Sequence, residues 1–311
     1  METLFYVVLP VFLVIGAGYA ATRSGGISAI AIDGLMTFAQ KYALPCVLFT
    51  GVAQLDLAQA MHPALLASFY TGAIAAFVVG FLVAHFVFGR SWQDSVVIGF
   101  IAEFSNTMML GLPVVERAYG QDELNAAYAV ISIHAPVGYT LGTTVMEVVR
   151  ARETGLSIAR LPLQILRQLS KNMLVVALLL GFIVNVINLP LPQPIWDAIA
   201  LMNRAGLPVA LFAVGGILVR YKLEGDGRVI AMICFLSLIL HPAIALGMGV
   251  LLGLSPADLR GAVIMASVAP GINTYVFASI YGRALRVSAS SVLVATATAL
   301  LTVWFWLTVL P

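Results

Sequence analysis

The sequence Ser-Asn-Thr-Met-Met-Leu-Gly-Leu-Pro at residues 105–113 decides the fold, together with its counterpart Ala-Pro-Gly-Ile-Asn-Thr-Tyr at residues 269–275. Each stretch lies inside a long apolar run and combines an Asn-Thr pair with Gly and Pro. Pro113 and Pro270 lack an amide hydrogen and crowd the carbonyl group four residues earlier, whereas Gly permits unusual dihedral angles. We therefore expect the two helices that contain these stretches to unwind there.

The rest of the chain is strongly apolar. Of its 311 residues, 61% are hydrophobic and only 10% are charged, whereas about 25% of the residues in a soluble domain are charged. A helix that crosses a membrane needs about 20 mostly apolar residues, and about ten such runs recur along the chain. The composition predicts an all-α membrane protein with spans centred near Phe12, Ala43, Ala75, Asn106, Pro136, Leu180, Pro208, His241, Gly271 and Thr298.

The basic residues predict how these spans are oriented. One set of alternate loops contains little beyond Arg117 and Arg260, and the positive-inside rule places the other set in the cytoplasm and both termini outside. Since the N-terminal Met-Glu-Thr lacks a positive region, the first span is expected to be retained rather than cleaved as a signal peptide. The net charge of +2 offers no basic face to nucleic acid. The predicted cytoplasmic set contains Arg23, Arg90, Arg150, Arg152, Arg160, Arg167, Lys171, Arg220, Lys222, Arg228, Arg283 and Arg286.

An internal repeat divides the chain into two halves. The sequence Ala-Leu-Pro-Cys-Val-Leu-Phe at residues 43–49 matches Gly-Leu-Pro-Val-Ala-Leu-Phe at residues 206–212. We predict a first repeat at residues 1–150, a basic cytoplasmic linker at 151–171 and a second repeat at 172–311. Each half holds an odd number of spans, about five, so the two halves enter the membrane from opposite sides as inverted repeats, which are typical of secondary transporters.

Two interrupted spans at equivalent positions of such a repeat predict one shared cavity. Backbone groups freed in hydrocarbon cost several kcal/mol each unless they line a cavity or are buried in protein. The N-termini of the half-helices would attract an anion there, and the Asn side chains add neutral donors that can hold a carboxylate. The alternative is a pair of simple kinks that need no ligand. The candidate binding residues are Asn106, Thr107, Gly111, Pro113, Pro270, Gly271, Asn273, Thr274 and Tyr275.

Other polar residues within the spans are candidates for coupling to an ion. Glu103 lies one turn before Asn106, and a carboxylate at that depth costs about 2.5 to 3.5 kcal/mol, so it either takes up a proton or sodium ion or acts as a structural hydrogen-bonding acid. His134 and His241 are candidates for proton relay, with packing or hydrogen bonding as the alternative. The repeated Pro45 and Pro208 are candidate gate or scaffold positions.

Enzyme classes find no support in the sequence. It contains no His-Glu-x-x-His zinc motif, no P-loop and no Gly-x-Ser-x-Gly nucleophile elbow. Cys46 and Cys234 give neither a disulfide framework nor metal-ligand spacing, so we expect no cofactor. The alternatives to a carrier are an anion channel and a ligand-sensing receptor on the same scaffold.

Three motifs resemble the auxin efflux carrier family, which includes the plant PIN-FORMED proteins and bacterial malonate permeases. They are Leu-Pro-x-x-Leu-Phe from residue 44, Ser-Asn-Thr-(x)3-Gly-Leu-Pro from residue 105 and Pro-Gly-x-Asn-(x)2-Val-Phe-Ala-(x)2-Tyr-Gly from residue 270. The resemblance covers essentially the whole chain. It implies a fold like that of the bile acid and sodium symporters, with spans 1, 2, 6 and 7 as a scaffold and spans 3–5 and 8–10 as a transport domain.

The resemblance also implies a function and a location. A member of this family is expected to move a small organic anion across a bacterial inner membrane by elevator-type alternating access, as a homodimer. It implies that Asn106 with Pro113, and Asn273 with Pro270, receive the carboxylate of the substrate. The chain lacks the long central hydrophilic loop of the plant members, so their control by phosphorylation is not expected here. The resemblance leaves the substrate open among several organic acids.

Overall fold

The structure is a computed structural model that describes residues 4–57, 62–154 and 161–311. Every regular element in these ranges is helical, apart from one isolated β-bridge. Part of the predicted linker, residues 155–160, lies outside the described residues. The helices are α1 Leu4–Arg23, α2 29–53, α3 Pro63–Phe86, α4 Trp92–Glu103, α5 107–119, α6 Asn125–Thr154, α7 Leu161–Ser170, α8 Met173–Val186, α9 Gln193–Leu218, α10 Gly227–Leu251, α11 Pro256–Ser267, α12 Asn273–Tyr281 and α13 Leu285–Val309.

The helices agree with the predicted apolar runs. Every predicted span centre lies in a helix or, at Asn106 and Gly271, in an interruption between two helices. In the described part of the chain, α1, α3, α9, α10 and α13 are long and apolar enough to cross a membrane, and α8 is a shorter apolar helix. The chain is therefore a multi-pass membrane protein, whereas ten crossings stay a prediction.

Prolines shape several of these helices in the same way. The π-helical turns Leu4–Val8, Ala39–Ala43, Thr107–Gly111 and Leu236–Leu240 each end two residues before a proline. In the last three, the residue before the proline donates its amide to the carbonyl five residues earlier. Because proline cannot donate and crowds the preceding turn, widening that turn keeps the helix continuous. Pro208, by contrast, lies inside an uninterrupted α9.

Small residues allow the two halves to pack closely. Helix α1 contacts α9, where a β-carbon on Gly18 would overlap the carbonyl of Phe212 and one on Gly215 would overlap that of Ile15. Helix α2 contacts α8, where a β-carbon on Gly181 would lie 2.9 Å from the Phe49 carbonyl oxygen. In predicted span numbers these pairs are 1 with 7 and 2 with 6, so each joins the first half of the chain to the second.

Helices α4 and α11 lead into the two interruptions, and they are built alike. Each has 12 residues and begins at a Ser-x-x-Asp cap. Ser91 accepts a hydrogen bond from the Asp94 amide at 3.1 Å, and Ser255 accepts one from the Asp258 amide at 3.2 Å. A serine cap satisfies one of the first amides of a helix and fixes where it begins. The two helices that precede the interruptions therefore agree in both length and cap.

Candidate functional site

The two interrupted helices meet where they are broken. Helix α4 ends at Glu103 and α11 ends at Ser267, and the segments that follow pair antiparallel, with Ser105 opposite Pro270. The amide of Asn106 donates to the Ala269 carbonyl at 2.8 Å, and the amide of Gly271 donates to the Phe104 carbonyl at 3.0 Å. The two breaks thus satisfy backbone groups that would cost several kcal/mol each if left unpaired in hydrocarbon.

The first break lies at one end of the stretch where unwinding was expected, residues 105–113. The chain is non-helical at 104–106, around Asn106, and resumes as the π turn Thr107–Gly111, so the helix does not unwind at Gly111 and Pro113. Gly111 has helical dihedral angles (φ −65°, ψ −52°), and Gly271 is not among the glycines with positive φ. Gly111 therefore does not use the unusual dihedral angles that glycine permits. Gly111 instead permits close packing, since a β-carbon there would lie 2.7 Å from Met265 Sδ.

Two helix N-termini face the crossing. Helix α5 begins at Thr107 and α12 begins at Asn273, each directly after its extended segment. At α12 the amides of Thr274 and Tyr275 already donate to the carbonyls of Gly271 and Ile272 at 3.0 Å. The aligned peptide dipoles still place roughly half a positive charge at each N-terminus. An anion at the crossing would therefore meet favourable backbone dipoles from both halves of the chain.

The side chains of Asn106 and Asn273 line a cavity of about 50 Å³ at this crossing. Thr107, Gly271 and His134 contribute to the same wall, and Leu48 of α2 with Leu174 and Leu178 of α8 close it on the other side. Asn106 is only 9% exposed. Within the described ranges, neither Asn carboxamide has a hydrogen-bond partner. A small-ligand pocket usually holds about 300 Å³ or more, so this cavity is smaller than a typical ligand pocket.

The remaining predicted binding residues lie outside this cavity wall. Thr274 is fully buried and donates its hydroxyl to the Gly271 carbonyl at 2.8 Å, which stabilises the turn that begins α12. Tyr275 packs against Tyr221, with ring centroids 5.1 Å apart. Pro113 lines a different hollow between α1, α5 and α9. Pro270 holds its place in the extended segment opposite Ser105.

Ser105 connects the crossing to both histidines. His134 Nε2 lies 3.1 Å from the Ser105 carbonyl oxygen, and His241 Nε2 lies 3.2 Å from that of Phe69. A carbonyl only accepts, so both imidazoles donate from Nε2. Ser105 Oγ lies 3.5 Å from His241 Nδ1, so both histidines lie beside Ser105, and their role in proton relay stays a prediction.

Glu103 is buried at the end of α4, directly before the extended segment. In the described residues its Oε1 has no hydrogen-bond partner. A β-carbon on Gly138 of α6 would lie 3.0 Å from this oxygen, so α4 and α6 pack tightly around the carboxyl group. Glu103 is therefore close in sequence to the crossing but is not part of the cavity wall.

Two relevant residues were missed by reasoning from the sequence. Ser105 belonged to the quoted motif, but only the structure shows that it contacts both histidines. Arg204 was counted with neither set of loops, although it lies deep inside an apolar span, and such a charge is itself a signal of function. It lines a second cavity, of about 390 Å³, between α2, α5, α6 and α9.

Comparison with known proteins identifies the family. Residues 3–307 match the sequence profile of a family described as "Membrane transport protein". The chain belongs to this membrane transport protein family. This confirms the resemblance to the auxin efflux carriers, and membership is consistent with a transporter rather than an enzyme.

Relatives within the family match over nearly their whole length. The "Putative malonate transporter" of Rhizobium meliloti (strain 1021) is 22% identical over 299 residues, which cover 95% of this chain and 92% of the relative. The "Uncharacterized transporter YfdV" of Escherichia coli (strain K12) is 25% identical over 308 residues, covering 96% and 95%. The protein of the same name from Shigella flexneri matches equally well.

Proposed function

We propose that this chain is a secondary carrier that moves a small organic anion, a mono- or dicarboxylate, across the inner membrane. One observation carries the proposal: two carboxamides without partners in the described residues, Asn106 and Asn273, line one cavity beside two helix N-termini. Uncharged donors and fixed dipoles can hold a carboxylate without a full positive charge, so the anion can also leave.

The two halves act as inverted repeats in this proposal, with bounds at 1–150, 151–171 and 172–311. The equal lengths and caps of α4 and α11 support it. So does the packing of α1 on α9 and of α2 on α8, because a pseudo-twofold axis that exchanges spans 1 and 6, and 2 and 7, exchanges these two contacts.

Transport follows from movement of one group of helices against another. In this proposal α1, α2, α8 and α9 form the scaffold of a homodimer, and the remaining spans, with the crossing, form the moving domain; both termini face outward. The cavities of about 50 and 390 Å³ each have walls from both groups, which supports a sliding boundary there. Pro45 and Pro208 lie on the scaffold side of that boundary.

Malonate is a reasonable first probe, because one relative carries it in its name. Purified protein in proteoliposomes should take up labelled malonate, acetate or succinate with saturation and should show counterflow. A channel would show neither. Asn106→Ala and Asn273→Ala should each abolish saturable uptake, while Gln193→Ala, an exposed carboxamide on α9, should leave it unchanged.

Folding of the variants is checked separately from transport. Each Asn variant should keep the elution volume and melting temperature of the wild type without ligand, and it should lose the thermal stabilisation by carboxylate that the wild type shows. Wild-type uptake by both folded Asn variants would overturn the proposed site.

A further inference from the structure

Arg204, near the middle of α9, lines the cavity of about 390 Å³. Arg204 lies about 17 Å along α9 from Gln193 at 1.5 Å per residue, in a helix long and apolar enough to span the membrane. A cation at the centre of a span costs about 2.5 to 3.5 kcal/mol on insertion scales, so it faces protein or water. The side chain is exposed, and it lines the cavity of about 390 Å³ between α2 and α9 on one side and α5 and α6 on the other.

Arg204 differs from the other arginines of this part of the molecule. Arg117 donates to the carbonyls of Tyr6 and Val7 at 2.8 and 3.3 Å. Arg260 forms an ion pair with Glu123 at 3.0 Å. Arg204 has neither a hydrogen bond nor an ion pair within residues 4–57, 62–154 and 161–311. Arg204 lines both this cavity and the hollow between α1, α5 and α9, and its guanidinium carries five N–H donors.

The residue beside it adds an acceptor. Asn203 donates its carboxamide NH to Thr50 Oγ1 at 3.0 Å, which fixes the amide plane. Its Oδ1 is buried and has no donor among the described residues. A guanidinium group and a fixed carbonyl oxygen on adjacent residues suit a carboxylate that also carries a hydroxyl group or bound water.

Glu116 of α5 lines the same cavity, and with Asn203 and Arg204 it also lines the hollow between α1, α5 and α9. Its Oε1 accepts a hydrogen bond from Gln121 Nε2 at 3.1 Å, and in the described chain it forms no ion pair with Arg204. A carboxylate at that position repels a bound anion and weakens the site, so that an anion is attracted into the cavity without being trapped there.

We propose that Arg204, with Asn203, is a second carboxylate-binding site in the cavity between α2, α5, α6 and α9, which the substrate occupies on its way to or from the crossing. This inference rests on the proposed carrier function. The cavity wall includes Leu112, which directly follows the first turn of the helix that starts at the crossing, so the two sites adjoin along α5.

The test measures KM and Vmax for uptake of malonate, acetate and succinate by proteoliposomes. Arg204→Gln should raise KM about tenfold to hundredfold, the range for a lost hydrogen bond to a charged group. Arg204→Lys should raise it less, because an ammonium group keeps the charge but not the planar fork. Glu116→Gln should lower KM, since it removes the repulsion. Arg117→Gln, at an arginine with its own backbone acceptors, is the matched control and should leave KM unchanged.

The binding site predicts that Arg204→Gln and Glu116→Gln change KM in opposite directions, and this distinguishes it from a gate. If Arg204 and Glu116 only formed a closing ion pair in another conformation, Arg204→Gln and Glu116→Gln would change KM in the same direction, and that result would overturn the proposal. An unchanged KM in Arg204→Gln would overturn it as well. If Arg204→Gln does not fold, the directions in which Arg204→Lys and Glu116→Gln change KM still distinguish the binding site from the gate.

Failure of the carrier function itself has a distinct signature. If none of the three acids is taken up by the wild type or raises its melting temperature, both proposals fall together. If the acids stabilise the wild type and Arg204→Gln equally but do not stabilise Asn106→Ala, only the site at Arg204 is overturned.

Discussion

The amide of Asn106 donates to the carbonyl of Ala269 across 2.8 Å, so each broken helix supplies the backbone partner that the other lacks. This hydrogen bond and the one from the Gly271 amide to the Phe104 carbonyl satisfy part of the main chain of both segments without a ligand. In the described residues, the side chains of Asn106 and Asn273 form no hydrogen bonds. Their carboxamide groups are therefore available to bind a ligand.

Because α1 contacts α9, we expect substitutions of two glycines on α1 to have different effects on stability. A β-carbon on Gly18 would overlap the Phe212 carbonyl, which belongs to the backbone and cannot rotate away. We expect Gly18→Ala to destabilise the protein by about 1 to 3 kcal/mol, the usual cost of overpacking. The measurement is thermal unfolding in detergent.

Gly16→Ala is the matched control for that variant. No atom lies within 4 Å of a β-carbon at Gly16. Replacing Gly by Ala inside a helix stabilises the helix by about 0.5 to 1 kcal/mol. We therefore expect Gly16→Ala to melt at or above the wild-type temperature. Equal melting temperatures for the two variants would contradict the close packing of α1 on α9.

Much of the crossing followed from the sequence, because an Asn-Thr pair with Gly and Pro recurs in mid-span in both halves of the chain. Periodicity and composition likewise located the helices. The end of the first break did not follow, since the proline at residue 113 is accommodated by the π turn Thr107–Gly111 and the helix is continuous there. The histidine contacts with Ser105 and Phe69 depend on tertiary packing that one sequence does not encode locally.

Pro242 deprives one carbonyl group of α10 of its usual hydrogen bond, and a side chain of another helix donates to that carbonyl instead. Proline cannot donate to the carbonyl four residues earlier, that of Leu238, and Trp306 Nε1 of α13 donates to it at 2.9 Å instead. We expect Trp306→Phe to lose about 1 to 3 kcal/mol through the unpaired carbonyl. In a Pro242→Ala background, residue 242 regains an amide, so the same substitution should cost less. A cost that is equal in the two backgrounds, measured by a double-mutant cycle, would refute this account.

We expect Asp226, at the start of α10, to make the stability of the protein depend on pH. The hydrogen bond from the Arg228 amide at 3.0 Å, with the nearby guanidinium groups, holds the pKa of Asp226 below its usual range. A group with a depressed pKa stabilises the fold above its unfolded pKa, and this contribution is lost as pH falls through the folded pKa. The melting temperature of Asp226→Asn should thus lie below that of the wild type near neutral pH, and the gap should shrink in acid. Asp197→Asn, at an exposed carboxylate of α9, is the control, and a gap that is constant across pH would contradict the prediction.

We expect a substitution of Glu103 to abolish energy coupling without affecting substrate binding. An ionised carboxylate is costly to bury without partners, and Glu103 Oε1 has none in the described structure. If the side chain takes up a proton when the cavity closes and releases it when water enters, Glu103→Gln should bind substrate and catalyse counterflow normally. It should fail to concentrate malonate in response to an imposed pH gradient. A sodium gradient imposed in parallel identifies the ion, because sodium coupling would leave wild-type accumulation insensitive to pH. Normal accumulation by Glu103→Gln under the wild-type driving gradient would instead assign Glu103 a purely structural role, since a neutral amide of the same shape preserves the packing against Gly138 but cannot carry a charge across the membrane.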